Sequence, residues 1–358
     1  MKIMRVLHSM DYGGIERGVY DFSKKAIELG HEIVIVSWYG RFLPELIEKG
    51  IKWYKAPLDK KNIITFLIGK KIVEKVIKIE KPDIVHFESR FPCWIGYFLM
   101  RKFKNIPFIT SIHSFSPFHF YSQSQGKGDI VIVVSKALKE YAVKKLRVPE
   151  DKIRIVYNGI DINDFLIERE FKNKNEWKIG MVGRFSILKG HFYFVEAIEN
   201  LIKEGIKNIK GLIYGAGSKN FKMKLKNLIK KKNLDSFIEI IEKKNSKEIM
   251  KEIDILVVPS IEPEGFGRVV VEGMVSGIPV IATNIGGVCE IIEDSKTGFL
   301  VEPKNSKKIS EKIKEIINDK NLYKKISREG QKFGIENFSV EKMVKETLKV
   351  YEEVLIKK

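Results

Sequence analysis

Two glutamates, Glu264 and Glu272, stand eight residues apart at the ends of Glu264-Gly265-Phe266-Gly267-Arg268-Val269-Val270-Val271-Glu272. An apolar run ending at Pro259 precedes them, so a strand should deliver this glycine-rich loop and a helix should start near Arg268. Carboxylate oxygens accept hydrogen bonds from paired hydroxyls. The N–H groups that open a helix attract phosphate. At a rise of ~1.5 Å per residue the spacing covers roughly 12 Å, about the reach from the sugar of a nucleotide-sugar, past its diphosphate, to the ribose. One carboxylate could then grip sugar hydroxyls and the other a ribose diol, with anion-binding backbone between them. Gly277, Gly286 and Gly287 would tighten the surrounding loops.

Gly183-Arg184-Phe185-Ser186-Ile187-Leu188-Lys189-Gly190 follows another apolar run. Arg184 offers a planar fork to phosphate and Lys189 a compact point charge, and together they suit a diphosphate. Gly215-Ala216-Gly217-Ser218 follows a further run, where small residues either admit a ligand or simply turn the chain. Gly13-Gly14 lies between the first apolar run and a helix from Ile15, so backbone N–H groups there could approach an anion. It is not a G-x-G-x-x-G fingerprint, which argues against a nicotinamide enzyme. No D-x-D triad occurs, so the pattern calls for no bound divalent metal and positive side chains take that role.

These loops need a frame. Short Val- and Ile-rich runs recur at 3–7, 32–36, 83–87, 107–112, 129–134 and 153–157, then at 178–182, 211–214, 238–241, 254–258, 279–282 and 298–301. They are unbroken rather than alternating, and helical patterns separate them. This is the grammar of an α/β protein with parallel sheets buried on both faces. It occurs twice, which predicts two doubly wound, Rossmann-like domains, 1–163 and 164–339, with ligands in a cleft at the carboxyl ends of the strands. The polar stretch 161–176 reads as the linker. The final stretch, 340–358, is helical and could pack on its own domain or cross back to the first.

With 358 residues, 44% hydrophobic and 31% charged, the chain has the composition of a globular protein, which excludes disorder or a collagen-like repeat as a description of the whole. The net charge of +19 favours anionic partners, but it is spread evenly, +10 over residues 1–164 and +9 over the rest. No focused stripe marks a nucleic-acid binder, and none is expected as a partner. Cys93 and Cys289 lack metal-site spacing and suit a reducing compartment. The first residues carry no signal-peptide pattern and no apolar run is long enough to span a bilayer, so a cytoplasmic location is expected.

Two segments raise a membrane question. Residues 60–81 hold seven lysines against two glutamates, with Ile64, Leu67, Ile68, Ile72, Val76 and Ile79 at helical spacing. Such a helix either packs its apolar face on a sheet or lies on an anionic bilayer. Residues 115–121, with four aromatics, could face an acceptor or a membrane, or pack as a crossover.

The chain resembles the retaining glycosyltransferases of family GT4, which have the GT-B fold. The resemblance spans nearly the whole sequence and rests on Gly13-Gly14-Ile15-Glu16-Arg17, Pro82-Asp83-Ile84-Val85-His86, Val134-Ser135-Lys136, Tyr157-Asn158-Gly159-Ile160-Asp161, the box at 183–190, and the E-x7-E pair Glu264 and Glu272. Ser89-Arg90-Phe91-Pro92-Cys93-Trp94 and Gly128-Asp129 look most like the branch that builds lipopolysaccharide core or other cell-surface glycans. The resemblance implies that Glu272 holds the ribose. It gives the diphosphate to Arg184 and Lys189, with backbone around Gly14, Gly183, Gly215, Gly217, Gly265, Phe266, Gly267 and Arg268 completing the donor cradle. Glu264 and His113 would contact the transferred sugar, and Ile241 and Lys243 the nucleobase, although Glu242 stands where the family commonly has glycine.

The implied reaction moves a sugar from a nucleotide-sugar, a UDP-sugar ahead of a GDP-sugar, to a glycan or lipid-linked acceptor, without a cofactor. The transition state is oxocarbenium-like, and closure of the domains would exclude water. A non-hydrolysing nucleotide-sugar epimerase would share the architecture and much of the site. The E-x7-E pair beside the Gly-Arg-x4-Lys-Gly box favours transfer.

Overall fold

A computed structural model describes the chain except for residues 12, 117–119, 170–174, 243–244 and 358. It divides into two units, Met1–Ile160 with Val340–Lys358, and Asp161–Ser339.

The first unit is built on a seven-stranded parallel sheet, ordered β3-β2-β1-β4-β5-β6-β7. The strands are β1 (Lys2–Val6), β2 (Glu32–Ser37), β3 (Lys52–Lys55), β4 (Ile84–Glu88), β5 (Phe108–Ile112), β6 (Ile130–Val133) and β7 (Ile153–Ile155). Successive side chains enter opposite cores, as the pleat requires. Ile3, Ile33, Ile35, Ile84 and Ile109 meet α1 (Gly14–Glu28) and the last helix, α13 (Val340–Ile356). Met4, Val34, Val36, Val85 and Phe87 meet α3 (Ile63–Glu80) and α4 (Arg90–Leu99) on the other face. Burial on both sides is why these strands read as continuous apolar runs. The sequence reading missed β3, Lys-Trp-Tyr-Lys, because an edge strand with charged ends carries no such run.

The second unit holds a six-stranded parallel sheet, ordered β10-β9-β8-β11-β12-β13. Its strands are β8 (Trp177–Val182), β9 (Ile209–Gly215), β10 (Ile238–Glu242), β11 (Ile255–Val258), β12 (Val280–Thr283) and β13 (Phe299–Val301). The helices that position the site are α7 (His191–Lys203), α9 (Ser246–Glu252) and α10 (Arg268–Val275).

Three sequence readings change. The final helix had two possible places, and the structure puts α13 against α1. Val344 and Tyr351 are fully buried there, and Val340 donates its N–H to Ile160 O at 2.9 Å. The stretch 161–176 is not a free linker along its described length. Asp161 caps α6 (Ile162–Phe165), Phe165 is buried, and Arg169 donates to Ser276 O at 2.8 Å, to Ile253 O at 3.0 Å and to Met250 O. Its polarity reflects capping and carbonyl pairing rather than solvation. Thirdly, α3 buries a different face from the apolar stripe read in the sequence, of which only Val76 is fully covered. Phe66, Gly69, Val73, Val76 and Ile77 are buried, whereas Ile63, Ile64, Leu67, Ile68 and Ile79 are exposed.

Removal of Arg169 leaves three carbonyls of the second unit without their charged donor. Arg169→Ala should therefore cost about 2 kcal/mol, read as a lower urea midpoint for that unit with its secondary structure unchanged.

Candidate active site

Parallel strands send all their carboxyl ends to one edge. Where the strand order reverses, the two following loops depart in opposite directions and leave a ligand site between them. In the second unit the reversal lies between β8 and β11, paired through Ile179 with Ile255 and Gly180 with Leu256. The loops that follow are the 183–190 box and the 259–267 segment. They are laced by a bond from Ile261 N to Leu188 O at 2.9 Å. The Lys189 ammonium lies 2.7 Å from Glu264 Oε2, while Ser260 donates its hydroxyl to the other carboxylate oxygen. Arg184 is exposed, with no protein partner for its guanidinium among the described residues.

The backbone holding Glu264 is set by a glycine. Glu264 bridges Gly286, and Gly287 donates to Glu264 O at 2.8 Å. Gly286 sits at φ 66 and ψ −147, a region essentially reserved for glycine, and a Cβ there would lie 2.5 Å from Glu264 O. Beyond it Gly267, at φ 109, opens α10, and no side chain caps that helix start. Gly265 and Phe266 are buried, and the Phe266 ring packs edge-on against Phe338, so this residue can offer a ligand only its backbone. Glu272 is nearly buried on α10. It accepts from Arg268 Nε at 3.3 Å and from the Ser246 hydroxyl at the start of α9.

One sequence expectation needs correcting, and the other residues of the loops can be placed. Only residues from Arg268 onward are helical, so helical rise does not measure the separation of Glu264 and Glu272. Gly215 and Gly217 serve the protein's own packing. A Cβ on Gly215 would lie 2.1 Å from Gly183 O, and Gly217, at φ 143, bridges Phe185. Gly183 itself has ordinary room for a Cβ. Ile241 is half-buried on edge strand β10, the following Glu242 is paired with Lys222, and Lys243 lies outside the described residues.

Gly14 and His113 belong to the first unit, where the order reverses between β1 and β4. A Cβ on Gly13 would collide with the carboxylate of Glu16, itself 2.7 Å from His8 Nε2, while a Cβ on Gly14 would meet only open space. The first glycine makes room for the Glu16 carboxylate, and the second leaves its backbone open to a ligand. His113, just beyond β5, has Nε2 2.5 Å from Glu88 Oε2. Glu88 is wholly buried at the end of β4 and also pairs with Arg5. Burial pushes this carboxyl up, but Arg5 and His113 outweigh it and hold it well below the usual carboxylate range.

Ser246, Ser260 and Glu88 were not singled out in the sequence. Ser260 directly follows a strand and could have been noticed. Ser246 lies 26 residues from its partner with no pattern linking them.

The comparisons with known proteins bear on the family and the fold. Residues 12–164 match the Glycosyltransferase Family 4 description and residues 163–333 match Glycosyl transferases group 1. An uncharacterized glycosyltransferase of Methanocaldococcus jannaschii is 32% identical over 99% of both chains. A Rickettsia africae glycosyltransferase structure superposes with a TM-score of 0.87 at 31% identity, covering 99% of this chain and 98% of that one. Anabaena HepE, solved with UDP and glucose, shares the fold with a TM-score of 0.86 at 20% identity, over 99% of this chain and 100% of the other. The fold is GT-B, two Rossmann-like α/β units carrying parallel sheets. The chain belongs to the family 4, group 1 glycosyltransferases and is an enzyme of that class.

Because Gly286 allows Glu264 its place, Gly286→Val should displace the 264 backbone and destabilise the second unit by about 1–3 kcal/mol. A lowered melting temperature checks the energy. A crystal structure of the variant in which Lys189 and Glu264 no longer pair checks the cause.

Proposed function

We propose that this glycosyltransferase takes its sugar from a UDP-sugar, ahead of a GDP-sugar, and passes it to a glycan or lipid-linked acceptor, with retention of anomeric configuration and without a metal ion. The Lys189–Glu264 contact beside exposed Arg184 carries the reading, because it sets a diphosphate-binding pair next to a carboxylate at the strand-order reversal. The fold shared with a protein solved with UDP supports the choice of nucleotide.

In this reading Glu272 accepts the ribose hydroxyls, exchanging its bonds to Ser246 and Arg268 for them. The bond from the anomeric carbon to the diphosphate oxygen breaks, and negative charge grows on the leaving group. Arg184, Lys189 and the uncapped start of α10 stabilise that charge. Glu264, oriented by Ser260 and Lys189, holds the transferred sugar, and His113 is the sugar-side group of the first unit. The backbone at Gly14 and at residues 265–268 completes the cradle, with Ile241 and Lys243 at the base. The family resemblance is the support for retention. The cell-surface glycan branch, including lipopolysaccharide core, is carried forward on the same basis.

The acceptor side is assigned to the first unit. On α3, Ile64 and Leu67 are 65% and 58% exposed, and Phe98 of α4, 44% exposed, lies beside them with Lys70 Nζ 5.9 Å from its ring centroid. An Asn62–Thr65 capping box fixes the start of this helix. Aliphatic side chains among lysines suit an anionic bilayer and support the reading of the enzyme as a peripheral protein of the inner face of the cell membrane.

A thermal-shift screen across nucleotide-sugars should show stabilisation by the donor. Arg184→Ala, Lys189→Ala and Glu272→Ala should each keep the fold and lower turnover on the order of 100-fold or more, since one charge-stabilising group contributes about 2.7–4 kcal/mol. Unchanged turnover in all three would reject the site.

For the membrane contact, flotation with phosphatidylglycerol vesicles should fall as salt rises and vanish in the double variant Ile64→Asp, Leu67→Asp. Equal flotation with neutral vesicles would reject an anionic surface.

A further inference from the structure

Sheet register gathers an unusual set of polar side chains on one face of the first unit. Arg5 pairs with His86, and Glu88 with Ser111, across β1, β4 and β5. His86 and Glu88 are two apart on β4, so they point to the same face, the one covered by α1 and α13. Arg5, His86, Glu88 and Ser111 are all buried.

We propose that Glu88 is the positioning residue of His113, and that Tyr351 of the C-terminal helix completes the buried network that holds Glu88 in place. An ionised carboxylate only accepts hydrogen bonds. With Glu88 Oε2 2.5 Å from His113 Nε2, the proton between them belongs to the imidazole, and Nδ1 is the ring atom left for a ligand. The other oxygen of Glu88 is taken by Arg5. Arg5 also donates to the Tyr351 hydroxyl at 3.3 Å, and that hydroxyl lies 2.6 Å from His86 Nδ1. His86 Nε2 lies 2.6 Å from Ser111 Oγ. Burial first, then Arg5 and His113, push His86 down to about 3 against the pull of Glu88, so it stays neutral and serves only as a hydrogen-bonding strut.

The arrangement is expensive as a device for stability. A buried carboxylate must recover its lost hydration, and apolar side chains would fill the same face with none to recover. Its geometry does what apolar side chains cannot, fixing one tautomer of a half-buried histidine. His113 and Glu88 line a cavity of about 30 Å3 together with Ser111, Asn158, Gly18 and Thr347, so the oriented ring borders open space. The groups facing Glu88 are His113 from beyond β5, His86 from β4 and Arg5 from β1, and Tyr351 from α13 meets Arg5 and His86.

The inference rests on the reading above only for its consequence in turnover. The full chain labelled with 15N-histidine tests it directly, with His113→Gln identifying the signal. In the native protein His113 Nε2 should show the shift of a protonated nitrogen. Glu88→Gln should convert the ring to a mixture of tautomers, and Tyr351→Phe should move it partway with the fold retained. If Glu88→Gln does not fold, Glu88→Asp, which cannot reach the ring, should give the same mixture. Turnover of a UDP-sugar should fall at least 10-fold in the Glu88 variant while its affinity for UDP stays the same. An unprotonated Nε2 in the native protein, or a ring signal indifferent to the Glu88 substitutions, would overturn the proposal. A shifted ring with unchanged turnover would support the positioning and overturn the sugar-side role of His113 instead.

Discussion

The reversal of strand order between β8 and β11 is the constraint on which the second unit's chemistry depends. Every strand of a parallel sheet ends on the same edge, and only at such a reversal do two loops part and leave their backbone groups and side chains facing a common space. The two loops that part here carry Arg184 and Lys189 on one side and Ser260 and Glu264 on the other. The ion pair between Lys189 and Glu264 follows from topology, since their strands are neighbours although the residues lie 75 positions apart. Glycine enters where the backbones crowd. Gly190 lies against Pro259, and Gly286 against Glu264, at distances no Cβ would allow.

The first unit repeats the reversal between β1 and β4 with different contents. There the charged groups lie within the sheet itself, beneath two helices, instead of in open loops. Burial makes Glu88 dependent on every partner it has, because an unpaired carboxylate in that environment would be protonated or displaced. The half-exposed pair Lys189–Glu264 is under no such compulsion. Solvent screens it, its net contribution to stability is small, and its members can exchange partners when a ligand arrives. One arrangement is rigid and the other exchangeable, and each suits the task proposed for it, orienting a ring in the first case and receiving a charged substrate in the second.

Glu272 shows the same readiness from the opposite direction. Ser246 and Arg268 occupy its oxygens, so in the proposed site the ribose hydroxyls would replace bonds of similar strength rather than fill empty acceptors. Preorganisation is the benefit, since the carboxylate is already aimed and little side-chain freedom is lost on binding. The doubled apolar character of α3 is a separate matter. One stripe is consumed by packing on the sheet and α4, so the remaining exposed aliphatic side chains have no structural duty within the unit.

Much of the fold was legible because strands buried on both faces are rich in apolar residues, and twelve of the thirteen described strands fall in the Val- and Ile-rich runs read from the sequence. β3 does not, since an edge strand with lysine at each end needs no continuous core. The glycine loops and their charged residues were legible too, as strand, loop and helix succeed one another within a few residues. By itself the sequence therefore determined the two parallel α/β sheets and the chemical types standing at their carboxyl edges, all of it local information. Only the tertiary structure decided which groups touch: Glu264 with Ser260 and Lys189, Glu272 with Ser246, His113 with Glu88, and Arg5 with Tyr351 from 346 residues away. Such pairings depend on strand order and register, which no single stretch of chain encodes.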